Sequence, residues 1–422
     1  MEMLMNVKHC LAFACLFAVL AARAATYYVT TGGNDGNDGL SWETAFATPK
    51  RALAVAADGD KVVVGGGTWT NVGYCDMVVT NAIEFTSLNG PGATIFDGGA
   101  ASSVGANYIY NGGGSTASTY RWVIEVRNVD AVVHGFTIQG GFRYNPSSET
   151  SASGIQLYNG TVSNCVVRLC RGGNDVTTWS GAGVYVANGL LKNCEIHGNV
   201  GRYNNNTTCY GGGVFQAGGT VDSCVITNNS AGRQGSGVFI RGGTLRNSLI
   251  ADNHGHYTSS SASSLITTSS YGGGLAMQEG GSLVENCVIS DNVRGLKSAA
   301  GVYVNHNNAI LRNCLVFGNT AQSEIGGVLL AKGRIENCTI SGNSAVINGA
   351  TGTGLRQTGG TAVNNIVWGN PTSGGASDVV KTSGTFQNNL VSTALDFFAS
   401  GDGNISGNPV FADAANNDFS LL

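Results

Sequence analysis

The chain has 422 residues, of which 64 are glycine and only 5 are proline, and charged residues make up 11% of it. Its net charge is −4 at pH 7, so no strong positive charge points to a nucleic-acid ligand. Low charge together with abundant glycine favours a solenoid with many tight turns over a helical protein.

Residues 1–24 have the pattern of a secretory signal peptide. Lys8 supplies the positive charge, residues 11–22 form the apolar run, and Ala22-Arg23-Ala24 is a small-x-small cleavage site. The apolar run is too short to span a bilayer, and we expect no other transmembrane segment. The sequence therefore predicts a secreted protein, extracellular or at the cell surface, cleaved after Ala24.

Residues 25–70 are predicted to form an N-terminal cap and the first strand. A helix is expected from Pro49 to Ala57, with Thr48 as its N-cap and Pro49 at its first position. An open terminal coil exposes unpaired backbone, and an amphipathic helix can plug it. The acidic loop from Gly33 to Gly39 is interpreted as a plain turn in preference to a cation site.

The central part of the chain, residues 153–371, repeats one phrase eight times. Its clearest copy runs from Gly235 to Asn253 and contains three short apolar–polar alternations separated by Gly or Asn. This pattern predicts three strands and sharp turns per copy, and hence an all-β, right-handed parallel β-helix. Successive copies are 24 to 39 residues apart when they are aligned on the column Cys165, Cys194, Cys224, Ser248, Cys287, Cys314, Cys338 and Asn365.

The flanking segments continue the same pattern less regularly. Residues 71–152 are predicted to form irregular early coils, in which Phe136 fits the cysteine column. Residues 372–422 are predicted to form the last coil and a C-terminal cap. In that coil we expect Phe386 and Val391 to point inward, Asn388 to lie at the turn, and Asn389 to occupy the cysteine column.

Both ends of the mature chain resemble a known family. The segments Trp42 to Thr48, Gly59-Asp60-Lys61-Val62, Gly67-Thr68-Trp69 and Asn408 to Leu421 are similar to the opening and closing segments of secreted bacterial β-helix proteins of the pectate-lyase-like superfamily. The resemblance implies the right-handed parallel β-helix. It implies less about activity, because that superfamily contains lyases, hydrolases, adhesins and proteins of other roles.

The cysteine column is predicted to face inward as a stack of buried thiols. Stacked side chains that point the same way suit van der Waals packing better than disulfide geometry, although disulfides remain the alternative. A metal site is disfavoured, because no histidine or carboxylate shares the column. Cys75, Cys170 and Cys209 lie outside it, and their pairing is left open.

Other columns are interpreted as structural. Two asparagine columns, one just before the cysteines and one closing each repeat, are expected to form turns and to bond neighbouring coils. The outward position of the second strand alternates in charge, and this alternation would hold the coils in register. Its members are Lys192, Asp222, Arg246, Glu285, Arg312 and Glu336.

The third strand presents an apolar stripe on its outward side. A stripe this long is rarely left bare. A loop, the C-terminal tail or a second subunit is expected to cover it, in preference to a ligand; self-association through it is one alternative. The stripe comprises Val166, Glu195, Val225, Leu249, Val288, Leu315, Thr339 and Ile366.

The outward side of the first strand is the predicted binding edge, because the variable insertions border it. Aromatic rings stack on sugars, and arginine binds carboxylates, so an acidic polysaccharide is the expected partner. The alternative is that these rings pack beneath the insertions or mediate self-association. The predicted substrate-binding residues are Arg171, Trp179, Tyr185, Arg202, Tyr203, Phe215, Phe239 and Tyr303.

The chemistry best matched to this edge is β-elimination of a uronate, which needs a base and a group that neutralises the carboxylate. The predicted catalytic residues are His254, His256, Tyr257 and Arg233. No cofactor or metal is predicted, and Ca²⁺ is disfavoured because the carboxylates of the repeat loops lie far apart. Glycoside hydrolysis is disfavoured because no carboxylate pair is evident.

The sequence therefore predicts a secreted β-helix protein that binds an extracellular, acidic polysaccharide. Whether it also cleaves that polymer as a metal-independent lyase is left open. The alternative is a non-enzymatic surface, adhesion or structural protein. No nucleic-acid partner is expected.

Overall fold

The protein is a parallel β-solenoid, seen in a computed structural model. The structure describes residues 23–70, 76–99, 122–142, 152–172, 181–201, 209–255, 272–294, 299–321, 325–346, 353–371 and 378–422. Each strand pairs in parallel with its counterpart in the next coil, so equal positions of the repeat are vertical neighbours. This arrangement confirms the predicted parallel solenoid, while its right-handed sense stays a prediction.

Two sheets are built from the first and second strands of the repeat. The strands of the first sheet are Met77–Val79, Ile124–Val126, Ile155–Leu157, Val184–Val186, Val214–Gln216, Val238–Ile240, Leu275–Met277, Val302–Val304, Val328–Leu330, Leu355–Gln357 and Val379–Lys381. Those of the second sheet are Thr26–Val29, Lys61–Val64, Glu84–Ser87, Val132–His134, Thr161–Ser163, Leu190–Lys192, Thr220–Asp222, Gly243–Arg246, Ser282–Glu285, Ile310–Arg312, Arg334–Glu336, Thr361–Val363 and Thr385–Gln387.

The third sheet and a short fourth sheet complete the coil. The strands of the third sheet are Gly67–Thr70, Thr94–Asp97, Thr137–Gln139, Val166–Arg168, Glu195–His197, Val225–Thr227, Leu249–Ala251, Val288–Ser290, Leu315–Phe317, Thr339–Ser341, Ile366–Trp368, Leu390–Val391 and Ile405–Ser406. Those of the fourth are Arg171–Gly172, Val200–Gly201, Ser230–Ala231, His254–Gly255, Val293–Arg294, Thr320–Ala321 and Ser344–Ala345.

The fourth sheet corrects the prediction of three strands per coil. Its strands are only two residues long, too short for an apolar–polar alternation to reveal them in the sequence. Six of the seven strands follow the asparagine that closes a repeat, and the first, Arg171–Gly172, follows Cys170. In these coils the insertions of the sequence lie between the fourth strand and the next first strand.

The N-terminal helix extends over Pro49–Val55, two residues shorter than predicted. The Thr48 hydroxyl accepts a hydrogen bond from the Arg51 N–H at 3.2 Å, which confirms Thr48 as the N-cap. Just beyond the helix, the Asp60 carboxylate accepts from the Ala57 N–H at 2.8 Å and holds the chain out of helical geometry. The role of this helix as a cap of the solenoid stays a prediction.

The carboxylates of the acidic Gly33 to Gly39 loop are used by the loop itself. Asp35 accepts hydrogen bonds from the backbone N–H groups of Ala47 and Thr48, both at 2.9 Å. Asp38 accepts from the Leu40 N–H at 3.0 Å and from the Thr44 hydroxyl at 2.7 Å. These bonds favour the plain-turn interpretation of the loop.

The cysteine column lies in the core, as predicted. Cys165, Cys194, Cys224, Cys287, Cys314 and Cys338 are at most 3% exposed and are present as thiols. Five of these thiols also face a carbonyl of the preceding coil; the Cys338 Sγ, for example, is 3.6 Å from the Leu311 oxygen. The five are Cys194, Cys224, Cys287, Cys314 and Cys338. Burial, followed by contact with the neighbouring thiols, raises the pKa of Cys314 well above its ordinary value. Phe136 and Asn389 occupy the same column and are also buried.

Outside this column, Cys170 and Cys209 are buried as well. Cys75 lies outside the described residues.

The two asparagine columns perform different tasks. The first column is exposed and left-handed, with φ of 52° at Asn247 and 53° at Asn286, and it forms the corner between the second and third strands. The second column is almost fully buried and forms a ladder of amides. The sequence analysis assigned both roles to both columns, and the structure separates them. The buried ladder comprises Asn199, Asn229, Asn253, Asn292, Asn319, Asn343 and Asn370.

Each rung of the buried ladder bonds to both neighbouring coils. The Asn292 Oδ1 accepts from the backbone N–H and the Nδ2 of Asn253, both at 3.0 Å. The Asn292 Nδ2 donates to the Ile250 carbonyl at 3.0 Å and to the Asn319 Oδ1 at 2.9 Å. A glycine packs on each rung: a Cβ at Gly274 would lie 2.7 Å from the Asn292 Nδ2. The recurring glycine before the first strand is therefore required by space.

The charge alternation on the second sheet is confirmed. Register pairs join Asp222 to Arg246 and Glu285 to Arg312. Ion pairs connect Arg246 with Asp222 at 2.8 Å and Arg312 with Glu285 at 2.7 Å. Each exposed pair contributes roughly 0–1 kcal/mol, so the column mainly opposes slippage by one coil.

Substituting one asparagine from each column of the same coil separates their roles. Asn292→Ala removes buried hydrogen bonds to the Asn253 N–H and Nδ2, the Ile250 carbonyl and the Asn319 Oδ1, and should lower the free energy of unfolding by at least about 2 kcal/mol. Asn286→Gly keeps a residue suited to positive φ, and should change it by about 1 kcal/mol or less. Chemical denaturation of both variants tests this. Equal losses would contradict the separation.

The end of the buried ladder predicts a pH effect. The Asp378 Oδ1 accepts from the Asn370 N–H at 3.0 Å, in place of a further asparagine. Burial raises the pKa of Asp378 above its ordinary 3.8, although hydrogen bonds from Ser392, Asn370 and Gly369 partly oppose the shift. The folded state therefore binds this proton more tightly than the unfolded state does. The stability that the protonated carboxyl confers is complete below pH 3.8 and is lost as pH rises through the folded-state pKa.

Asp378→Asn removes this loss of stability at higher pH, and it keeps a side-chain oxygen that can accept the hydrogen bond from the Asn370 N–H. The melting temperature of the variant minus that of the wild type should increase with pH from about pH 3 and then level off. Thermal unfolding across this range measures it. A difference independent of pH would contradict the assignment.

Candidate functional site

The aromatic residues of the predicted binding edge are buried. Tyr185, Phe215, Phe239 and Tyr303 occupy the outward position of the first sheet, yet Phe215 and Phe239 are 0% exposed, Tyr185 9% and Tyr303 7%. Tyr185, Phe215 and Phe239 belong to a second hydrophobic cluster, in which the centre of the Phe239 ring lies 4.7 Å from that of Tyr210. This is the packing alternative of the sequence analysis. In this conformation their faces are closed to a sugar, and their role in binding stays a prediction.

The remaining predicted residues do not complete a site within the described chain. Arg171 is buried, and the Arg233 guanidinium lies 5.9 Å from the centre of the Tyr210 ring. His254 is half-buried on the fourth sheet, where burial lowers its pKa. The other members lie outside the described residues: Trp179, Arg202, Tyr203, His256 and Tyr257.

The outer face of the third sheet carries a different arrangement, which the sequence analysis missed. In the seven strands from Thr94–Asp97 to Val288–Ser290 the last residue occupies the outward position, and register pairs join these residues into one line, in which Ala251 and Ser290 are only 5% and 4% exposed. We call this line the polar file. Its members, in order, are Asp97, Gln139, Arg168, His197, Thr227, Ala251 and Ser290.

The local sequence explains why these side chains share a face. Asn164 turns the chain with φ of 50°, and Cys165 then points into the core. The next residues alternate, so Val166 faces outward, Val167 is buried and Arg168 faces outward. Leu169, with φ of 55°, ends the strand. The same residue pattern one coil later places His197 beside Arg168.

Hydrogen bonds along the polar file hold Arg168 in place. The Gln139 Nε2 donates to the Asp97 Oδ2 at 2.7 Å. The Arg168 Nε donates to the Gln139 Oε1 at 2.9 Å. Among the described residues the structure records no other hydrogen bond from the Arg168 side chain. The two terminal nitrogens of a guanidinium match a carboxylate in a forked geometry.

His197 is a neutral base next to this cation. Burial is the largest cause that lowers its pKa below 6.5, and the Arg168 guanidinium lowers it further, while Glu195 opposes both. At neutral pH the imidazole therefore has a lone pair and can accept a proton. A neutral base beside an arginine is the pair that proton abstraction next to a carboxylate requires.

The apolar stripe of the third strand runs beside the polar file, two residues earlier in each strand. Val225 is 40% exposed, and Leu249 and Val288 are half-buried. The face therefore presents a line of hydrogen-bonding groups parallel to a line of aliphatic groups. Such a surface matches a sugar chain, which offers hydroxyl or carboxylate edges and apolar C–H faces.

The C-terminal tail covers one end of this face. Strands Phe411–Asp413 and Asp418–Leu421 form an antiparallel hairpin. The Phe419 ring lies 5.4 Å from Phe317, and the Phe411 ring lies 5.8 Å from Trp368. Phe317 and Trp368 continue the line of the polar file beyond Ser290. These ring contacts are made with Phe317 and Trp368 and not with members of the apolar stripe, so the cover of the stripe by a loop, the tail or a second subunit stays a prediction.

The described residues also limit the possible membrane-spanning and metal-binding features of the chain. No described helix combines the length and the hydrophobicity needed to cross a membrane. No group of three histidine, cysteine, aspartate or glutamate side chains in the described ranges is arranged to hold a metal ion.

Comparison with known proteins found similarity in structure only. No protein-family model matches the chain, and no curated protein matches it closely. Solved structures that resemble it include a xylose complex of XylC, with 10% identity, coverage of 92% of this chain and 87% of that chain, and a TM-score of 0.46. Another is the pectate lyase Pel9A, with 14% identity, coverage of 89% and 82%, and a TM-score of 0.42.

A third similar structure is a mannuronic acid specific polysaccharide family 6 lyase from human gut microbiota. It is 11% identical, the match covers 85% of this chain and 88% of that chain, and the TM-score is 0.39. These likenesses do not identify an activity for this chain.

The neighbours of His197 predict how its pKa responds to substitution. Arg168→Gln removes a nearby positive charge and should raise the pKa of His197, whereas Glu195→Gln removes a negative charge and should lower it. NMR titration of the imidazole measures both changes, with His254 as a control that should not move. A His197 pKa unaffected by Arg168→Gln would mean that the two side chains do not interact.

Proposed function

We propose that the protein binds an acidic polysaccharide along the outer face of the third sheet and cleaves it by β-elimination at Arg168 and His197. The observation that carries this proposal is the adjacency of an arginine and a neutral histidine on one accessible file. The proposal keeps the polymer class and the reaction class of the sequence analysis. It moves the site from the first sheet to the third.

The elimination assigns one role to each side chain. Arg168 pairs with the uronate carboxylate and stabilises the negative charge that develops when the adjacent C5 proton is removed. The His197 imidazole takes that proton, and the C–H electron pair forms the C4–C5 double bond. The C4–O bond breaks, its electrons stay on the departing oxygen, and water supplies the proton that this oxygen requires.

Gln139 and Asp97 act as positioning residues in this scheme. Gln139 fixes the Nε side of Arg168, and Asp97 fixes the amide of Gln139. A guanidinium held in this way is already oriented when the carboxylate arrives, so less conformational entropy is lost on binding.

Substitution of the two central residues tests the proposal. His197→Gln should reduce the rate of elimination by about 100-fold or more and leave binding nearly unchanged, because only the base is lost. Arg168→Gln should weaken both binding and cleavage, because the carboxylate loses its partner. Absorbance of unsaturated products, measured on polygalacturonate, alginate and neutral xylan, reports cleavage. Retardation in gels that contain each polymer reports binding.

Two control variants share the chemistry but not the location. Arg312→Gln removes an arginine from the second sheet, and His254→Gln removes the other histidine whose pKa is lowered by burial. Neither should affect binding or cleavage. Binding that Arg168→Gln weakens, without unsaturated products from any polymer, would remove the lyase reaction and leave a binding protein. Binding that survives Arg168→Gln would contradict the site itself.

The predicted pKa of the base also sets the acidic limit of activity. Because the pKa of His197 is lowered below 6.5, the imidazole stays neutral into mildly acidic solution. The acidic limb of kcat/KM should therefore have its midpoint below pH 6.5. In Glu195→Gln this limb should move to still lower pH. If the acidic limb of kcat/KM is at the same pH in Glu195→Gln as in the wild type, the base is a residue other than His197.

A further inference from the structure

We infer that the C-terminal hairpin ends the glycan-binding line on one side, so that the protein engages polymer only on the side of the hairpin where Asp97 to Thr227 lie. The inference rests on the proposed function and adds a determinant of length specificity to it. The polar file and the hairpin lie on one line of one face, so a chain that follows the file must meet the hairpin.

The geometry of the line supports this assignment. Thr227, Ala251 and Ser290 succeed His197, and the next register position is Phe317. The Phe419 ring lies over Phe317 at 5.4 Å. Seven coils from Asp97 to Ser290 span about 29 Å at roughly 4.8 Å per coil. Ala251 and Ser290 are only 5% and 4% exposed, so the exposed side chains of the line extend from Asp97 to Thr227, about 19 Å, before the line reaches the hairpin.

The residues beneath the hairpin are themselves suited to a sugar. Phe317 and Trp368 occupy the outward line, with the small Ser341 between them. Phe411 packs on Trp368 at 5.8 Å, so the hairpin occupies an aromatic surface that would otherwise continue the line.

Charge on the hairpin opposes an acidic chain. Asp413 and Asp418 are exposed on its two strands. Hydrogen bonds from the hydroxyl and the backbone N–H of Ser420 lower the pKa of Asp418, so this carboxylate is ionised at neutral pH. The hairpin therefore combines steric closure with electrostatic repulsion of a uronate polymer.

Detaching the hairpin in the full-length chain tests the inference. The double variant Phe411→Ser with Phe419→Ser removes both ring contacts. Binding of oligomers cut from whichever of the polymers binds the wild type is measured as a function of their length. In the wild type the affinity should stop rising once the oligomer fills the exposed stretch that ends at the hairpin. In the double variant it should continue to rise, and long oligomers should gain on the order of tenfold.

Two further variants keep the test decisive. A chain ended after Asn408 removes the whole hairpin and should give the same extended length dependence. Adding Trp368→Ala to the double variant should abolish the gain, whereas Trp368→Ala in the wild type should leave its affinity unchanged, because that ring is already covered.

The outcomes separate the two proposals. Failure of the wild type to bind any polymer overturns the proposed function and this inference with it. Wild-type binding with the same length dependence in the double variant and in the chain ended after Asn408 overturns the inference alone. Loss of binding by short oligomers in both of these variants also overturns it, because the hairpin would then support the site instead of ending it.

Discussion

A buried amide cannot be left without partners, and this constraint sets the register of the coils from Asn199 to Asn370. Each rung of the asparagine ladder both donates to and accepts from the coils beside it, as Asn253 and Asn292 show. A slip of one residue would remove a rung from its neighbours and place a Cβ where only glycine fits. Since the rungs occupy one position of the repeat, insertions of any length can follow without disturbing the next coil.

The inner ladder also determines which side chains become neighbours on the outer faces of the sheets. Because equal repeat positions become vertical neighbours, each sheet presents continuous files of side chains. On the second sheet the file alternates in charge and serves register, and on the first sheet it becomes an aromatic cluster that is closed to solvent. On the third sheet it places Arg168 beside His197 with an aliphatic file alongside. The rigid scaffold thus aligns groups that are 29 residues apart in the sequence.

The repeat made most of the fold predictable. Alignment of the cysteine column located the inward positions of the third strand, the outward charges of the second sheet and the last coil, including Phe386 and Asn389. The fourth sheet was not predictable, because two residues are too few to show a period. The separate roles of the asparagine columns were also hidden, since one residue type serves as a left-handed corner at Asn286 and as a buried rung at Asn292.

The candidate site could be predicted from the sequence pattern only in part. Outward orientation of Phe215 and Phe239 follows from alternation, but the cover over them depends on tertiary packing that no local period encodes. Arg168 and His197 were accessible to the same alignment, because they occupy equal positions in successive repeats. They were overlooked because only the first outward position of the third strand was compared. The pairing of Arg168 with Gln139, by contrast, needed coordinates.

The most direct measurement of where the ligand binds is NMR titration of the arginine side-chain Nε–H resonances with an oligouronide. We predict saturable shifts at Arg168, together with the imidazole signals of His197, and no shift at Arg246, whose Nε is held by Asp222 on the second sheet. Shifts that appear at Arg233 and spare Arg168 would place the ligand on the first-sheet edge and contradict the account.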